Sequence, residues 1–197
     1  MSPIGIVLYG PPASGKDTIT TALYRLDLRF VLLPKLKAGT GRAEGYELVT
    51  AERLATLRGA GRLVVETHRY GNTYAVDQQS IDDLTTAGIV PIAHMGNIAD
   101  LRRLVGREPD SWLRVLLWVP REVTEQRSHD RGDADTGKRL AAWDETLADL
   151  EANTDKGFFH LRIHTDQLSA DAAAREIMTA YDRLRTAGRS HEEANPP

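Results

Sequence analysis

The stretch Gly10-Pro11-Pro12-Ala13-Ser14-Gly15-Lys16-Asp17-Thr18 limits what this chain can fold into more than any other. It follows the unbroken apolar run Ile4-Gly5-Ile6-Val7-Leu8-Tyr9 and precedes residues 16–26, where Ile19, Leu23 and Leu26 recur at helical spacing. An apolar run without alternation is the pattern of a strand buried on both faces. A glycine-bounded loop closing in Gly-Lys, set between such a strand and a helix, has the context of a phosphate-binding loop. The glycines let the backbone wrap so that successive N–H groups point at phosphate oxygens, and the helix N-terminus adds partial positive charge. Lys16 reaches the β- and γ-phosphates as a mobile cation. The nucleotide-binding residues expected from this loop are Gly10, Pro12, Ala13, Ser14, Gly15, Lys16, Asp17 and Thr18. A turn that merely joined strand to helix would have no need of Gly-Lys at that point.

The same rhythm continues along the chain. Leu63-Val64-Val65, Ile89-Val90-Pro91-Ile92, Val115-Leu116-Leu117-Trp118-Val119 and a stretch near Phe158–Ile163 read as further strands. Ile81/Leu84, Ile98/Leu101/Leu104, and Leu140, Trp143, Leu147 and Leu150 mark one-sided helices, with a last helix from about Ser169 to Arg185. Strands alternating with helices predict an α/β fold, a parallel sheet covered on both faces in three α/β/α layers. No internal repeat is found. The 197 residues suit one domain, expected over 1–187, with a polar, flexible tail at 188–197.

At the position after Lys16 such loops normally carry Ser or Thr, whose hydroxyl binds magnesium; here it is Asp17, and a hydroxyl first appears at Thr18. Asp17 is therefore the candidate metal ligand, since Mg²⁺ favours carboxylate oxygens. The alternative is that Asp17 only sits well in the first helical turn. Thr18 is the candidate contact to the α-phosphate. Composition removes other chemistry. There are no cysteines, hence no disulfides, thiolate metal sites or cysteine nucleophiles. The net charge of −3 gives no bulk attraction to nucleic acid or an acidic membrane, and no run approaches the roughly 18–20 apolar residues that span a bilayer. The start lacks the features of a secretion signal, so a cytoplasmic location is expected, with no nucleic-acid or membrane partner, as a monomer or homodimer.

Further motifs follow in order: Gly45-Tyr46-Glu47-Leu48-Val49-Thr50, Gly61-Arg62-Leu63-Val64-Val65-Glu66, Tyr70-Gly71-Asn72-Thr73-Tyr74, and Val119-Pro120-Arg121 followed by Arg127, Arg131-Gly132 and Arg139-Leu140. With the loop, their order and spacing resemble a nucleoside monophosphate kinase, specifically guanylate kinase, over most of residues 4–185. The resemblance implies a P-loop kinase with an acceptor-binding insertion at about 34–75 and a short lid at about 128–140. It implies ATP and Mg²⁺ as cofactors and transfer of a phosphoryl group to the phosphate of a small-molecule acceptor, GMP-like or a modified nucleotide.

By the same resemblance, Tyr46 and Tyr74 match tyrosines that hold the acceptor's phosphate, with Tyr70 beside them. Lys35, Lys37 and Arg42 lie where the family has an arginine-rich segment. Arg131 and Arg139, with Lys16, are the implied catalytic cations, and Glu66 falls one residue from the glutamate that reads guanine. Arginines of this kind are also common on solvated helix faces, and tyrosines of this kind are often merely half-buried. The family's Asp-x-x-Gly after the Pro91-Ile92 strand is replaced by Ala93-His94-Met95-Gly96. Either Asp17 supplies the missing negative charge or His94 contacts a different acceptor. Ribose 1,5-bisphosphate phosphokinase resembles the same family with a degraded base pocket and stands as the alternative, together with another specialised metabolite kinase. A non-catalytic guanylate-kinase-like binding module is a third reading, which the intact loop lysine and flanking glycines oppose.

Overall fold

The computed structural model describes residues 3–41, 43–69, 71–106, 111–132 and 135–193, with side chains to residue 187. β1 (Gly5–Tyr9) runs through the centre of a five-stranded sheet ordered β2 (Phe30–Leu32), β7 (Val90–Met95), β1, β8 (Trp112–Trp118), β9 (Leu161–His164), parallel throughout. The two-residue period of a strand sends alternate side chains of β1 into different cores. Ile6 and Leu8 pack with Ile19 and Leu23 of α1 (Lys16–Leu26) and Ile177 and Tyr181 of α7 (Ala170–Glu193). Val7 and Tyr9 pack with Ile81 of α3 (Gln78–Thr86), Leu101 of α4 (Ile98–Val105) and Leu150 of α6 (Thr136–Asn153). Two buried faces account for a strand that is apolar at every position, and the predicted three-layer α/β/α fold is the one observed.

The segment expected at 63–65 belongs to a different sheet. β5 (Leu63–Arg69) pairs antiparallel with β6 (Asn72–Asp77), and β6 pairs antiparallel with β3 (Lys35–Ala38), which pairs parallel with β4 (Tyr46–Leu48). This four-stranded sheet buries Leu36 and Ala75 under Leu54 and Leu57 of α2 (Ala51–Gly59). Apolarity alone marks a strand as buried but does not say which sheet buries it.

Helix α7 continues as helix to Glu193, beyond the end expected near Arg185 and into the stretch expected to be a tail; residues 194–197 lie outside the described residues. No helix among the described residues is long and apolar enough to cross a membrane.

The topology fixes where a ligand goes. The neighbours of β1 are β7 on one side and β8 on the other, so the chain order reverses there, and the crevice beyond the strand's carboxyl end is where open α/β sheets bind ligands. The glycine-rich loop fills that position.

Candidate active site

Residues 10–15 form a loop whose shape depends on close packing. A Cβ on Gly10 would sit 2.2 Å from the carbonyl oxygen of Leu117, so only glycine lets the loop pass β8. Gly15, the N-cap of α1, has φ 84°, and Ala13, at φ 58°, is the one non-glycine with positive φ among the described residues. Left-handed residues within such a turn are the backbone geometry of an anion-binding nest. The loop is pinned from behind by α5 (Arg121–Asp130). Thr124 donates to the Pro12 carbonyl at 3.3 Å, and Arg127 donates to the Ala13 carbonyl at 2.8 Å and the Thr165 carbonyl at 2.7 Å.

Lys16 folds back onto the loop, donating to the carbonyls of Gly10 at 2.7 Å and Pro11 at 3.0 Å and to Ser14 Oγ at 3.2 Å. Burial lowers its pKa from 10.5 to about 8; nearby Asp17 opposes this shift and Lys35 adds to it. A cleft of about 180 Å³ brings residues 12–18 together with Arg131, at the C-cap of α5, and Arg139, in the first turn of α6. The lid expected at 128–140 covers the end of α5 and the start of α6, with Arg131 on one side and Arg139 on the other; residues 133–134 lie outside the described residues.

A second cleft of about 250 Å³ opens on the other side of Lys16 and Asp17, walled by Lys35, Glu44, Tyr46 and His94. It continues, through shared Lys35 and Tyr46, into a third of about 240 Å³ that adds Thr67, Arg69, Tyr74, Asn97 and Asp100. Strand register explains this lining. Lys35 stands opposite Tyr46, Lys37 opposite Tyr74, and Tyr74 opposite Thr67. Directly paired residues share a sheet face, so Lys35, Lys37, Tyr46, Tyr74, Thr67 and Arg69 all lie on one side. Tyr46 and Tyr74 pack with ring centroids 5.3 Å apart, and the buried Lys37 ammonium lies 5.5 and 5.8 Å from the two rings.

Glu66 is not brought together with these residues. Its neighbours Val65 and Thr67 face α4, so Glu66 faces α2, where it accepts from Arg58 at 2.8 Å. That hydrogen bond holds its carboxyl below the usual range. The residue lining the cleft is Thr67, one position on, so Glu66 is the expected acceptor-side residue that the fold does not bring to the cleft. Arg42 and Tyr70, also expected on the acceptor side, lie outside the described residues.

His94 is set beside the loop by β-sheet register, opposite Leu8 of β1. Its Nε2 is 2.8 Å from Thr20 Oγ1 and its Nδ1 3.6 Å from Asp17 Oδ1. Burial, then the charges of Lys16 and Lys35, push its pKa down to about 3, so it is neutral at physiological pH. Asp17 itself is 79% exposed at the mouth between the two clefts. Lys35 has its ammonium 4.0 Å from Met95 Sδ, a weak acceptor, and burial lowers its pKa to about 8.

Sequence reasoning missed Thr20, Thr67, Arg69, Asn97 and Asp100. Asp100, N-capped into place by Asn97, accepts from Asn97 Nδ2 at 2.7 Å, from Arg103 at 2.8 Å and from Thr67. The alternation of β5 counted from Val65 would have marked Thr67 and Arg69.

No family model matches the chain, and no curated relative does. Solved structures do match its fold. The guanylate kinase of Anaplasma phagocytophilum superposes with a TM-score of 0.64 at 14% identity, over 93% of this chain and 88% of that one. A Bacillus subtilis protein solved in complex with phosphorylated GDP gives 0.50 at 16% identity, over 90% and 95%. A gluconokinase from Sinorhizobium meliloti gives 0.50 at 15% identity, over 97% and 99%. At such identities the likeness establishes a P-loop kinase fold.

Proposed function

We propose that this protein is an ATP-dependent kinase that transfers the γ-phosphoryl group to the phosphate of a small phosphorylated acceptor, a nucleoside monophosphate or a sugar phosphate. The observation that carries this is the position of Lys16 and Asp17, which wall both the cleft holding the loop, Arg131 and Arg139 and the cleft holding Lys35, Tyr46 and His94. Phosphates bound on the two sides would meet at one cation.

Catalysis of phosphoryl transfer is mostly positioning and neutralisation of spreading charge. Nucleotide phosphates replace the carbonyls that now hold Lys16. Arg131 and Arg139 take charge on the donor side, and Lys35, with hydroxyls of Tyr46 and Tyr74, takes it on the acceptor side. An acceptor phosphate oxygen bonds to the γ-phosphorus as the bond to the bridging oxygen breaks, and ADP leaves. A phosphate nucleophile is already anionic and needs no general base. A hydroxyl acceptor needs one; burial makes His94 a poor proton acceptor, which leaves the carboxylates of Asp17 and Glu44 in the cleft for that role.

Mg²⁺ binds through one or two carboxylates plus substrate phosphates rather than in an all-protein cage. One exposed carboxylate at the loop mouth, Asp17, fits that donor set, and among the described residues no cluster of three or more metal-ligating side chains exists. When bound, the ion would neutralise triphosphate charge.

The test is ADP release from ATP and magnesium across nucleoside monophosphates, sugar phosphates and no acceptor. Acceptor-stimulated release is expected, with Asp17→Asn shifting the magnesium requirement upward. Release that no acceptor stimulates, or a magnesium dependence and kcat unchanged by Asp17→Asn, would count against transfer and against the metal role respectively.

A further inference from the structure

From the cleft beyond Lys35 we infer that Arg69 is the specificity-determining residue for a second anionic group on the acceptor, so that the substrate is a small metabolite with a negative charge at both ends. The inference rests on the phosphoryl-transfer reading for the near end and extends it to the far end.

The cleft has the wrong polarity for a neutral base and the right one for an anion. A guanine edge presents N–H groups, for which a carboxylate is the strongest acceptor. Among the described residues the acidic one lining this cleft is Asp100, whose carboxylate already accepts from Thr67, Asn97 and Arg103. Glu66 is turned to the opposite face and bound to Arg58. What the cleft does offer is positive charge and donors. Lys35 guards the end nearest the loop, its buried ammonium 4.0 Å from the Met95 thioether and within the field of Asp100. Arg69 lines the same cleft two residues beyond Thr67 on the same strand.

Arg69 also holds a stand-in for such a ligand. Its Nη2 donates at 2.8 Å to a carboxylate oxygen of Glu145, on α6. The pair is exposed, at 41% and 68% of the two side chains, and ion pairs so placed contribute little to stability. A phosphate or carboxylate delivered by a ligand already anchored at Lys35 would displace Glu145 at little cost. Arginine's planar fork suits either group.

The experiment is isothermal titration of the full chain, loaded with magnesium and a non-hydrolysable ATP analogue. Ribose 5-phosphate is compared with ribose 1,5-bisphosphate, and glycerol 3-phosphate with 3-phosphoglycerate, so that the arms separate a second phosphate from a second carboxylate. GMP is the base-bearing control. In at least one pair the doubly anionic member is expected to bind about 10-fold or more tighter than its partner. Arg69→Gln should abolish that ratio while leaving the singly anionic member within about twofold, and Glu145→Gln, which removes the competitor, should widen it. Equal binding within both pairs, no binding by any of the four, or a ratio that survives Arg69→Gln would overturn the inference. GMP binding tighter than all four would do so as well. None of these results depends on turnover, so failure here is distinct from failure of acceptor-stimulated ADP release.

Discussion

At the scale of single residues, the site concentrates positive charge where water is scarce. Lys16 and Lys35 have pKa values lowered to about 8, chiefly by burial. The folded-state value of Lys35 lies below its usual 10.5, so between these values the unfolded chain binds the extra proton. The cost of burying the charged form is therefore complete below pH 8 and is relieved as pH rises toward 10.5. An acceptor anion acts in the opposite sense, favouring the ammonium and raising its pKa. Binding near pH 8–9 should then draw protons from solution, and acceptor affinity should fall as pH rises through that range. Calorimetry in buffers of different ionisation enthalpy measures this. Uptake is expected to be smaller by a fraction of a proton in Lys35→Met than in the parent protein. Equal uptake in the two would show that Lys35 does not face the bound anion.

At the scale of elements, one carboxylate of helix α6 ties it to both β1 and α4. Asp149 Oδ2 accepts from the buried Tyr9 hydroxyl at 2.9 Å and from the backbone N–H of Ile98, at the start of α4, at 2.8 Å. Burial, together with that hydrogen bond, pushes the tyrosine pKa well up. Asp149→Ala would strand both donors, and removing one partner of a buried hydrogen bond costs about 1–3 kcal/mol. Urea unfolding is expected to show a loss of about 2–4 kcal/mol at unchanged m-value; a change below about 0.5 kcal/mol would mean that the other contacts of α6 hold it without Asp149.

The elements also show what was legible beforehand. The loop, β1 and α1 could be read from the chain because their chemistry is local: glycine at a close approach, Lys at a helix start, apolar spacing. His94 was picked out because it stands beside the loss of an expected aspartate, but its partner Thr20 comes from a helix distant in sequence, across a parallel crossover. That Glu66 faces away from the cleft is not legible in the chain, because a one-residue slip reverses a strand's faces. Only the pairing of β5 with β6 and of β6 with β3 settles which face lines the cleft. Arg69 escaped notice for the same reason.

At the scale of the whole molecule, the parallel sheet brings two clefts to either side of the loop lysine, and the small second sheet carries a row of alternating residues over one of them. That division of labour, donor on one side and phosphorylated acceptor on the other, is the central claim. It is tested most directly by where the phosphoryl group lands. ³¹P NMR of a reaction with ATP, magnesium and an acceptor that stimulates ADP release would follow each phosphorus in turn. The expected result is a pair of mutually coupled resonances from a new P–O–P linkage on the acceptor. A new uncoupled phosphomonoester signal, or inorganic phosphate as the only product, would place the acceptor oxygen on a hydroxyl or on water and contradict it.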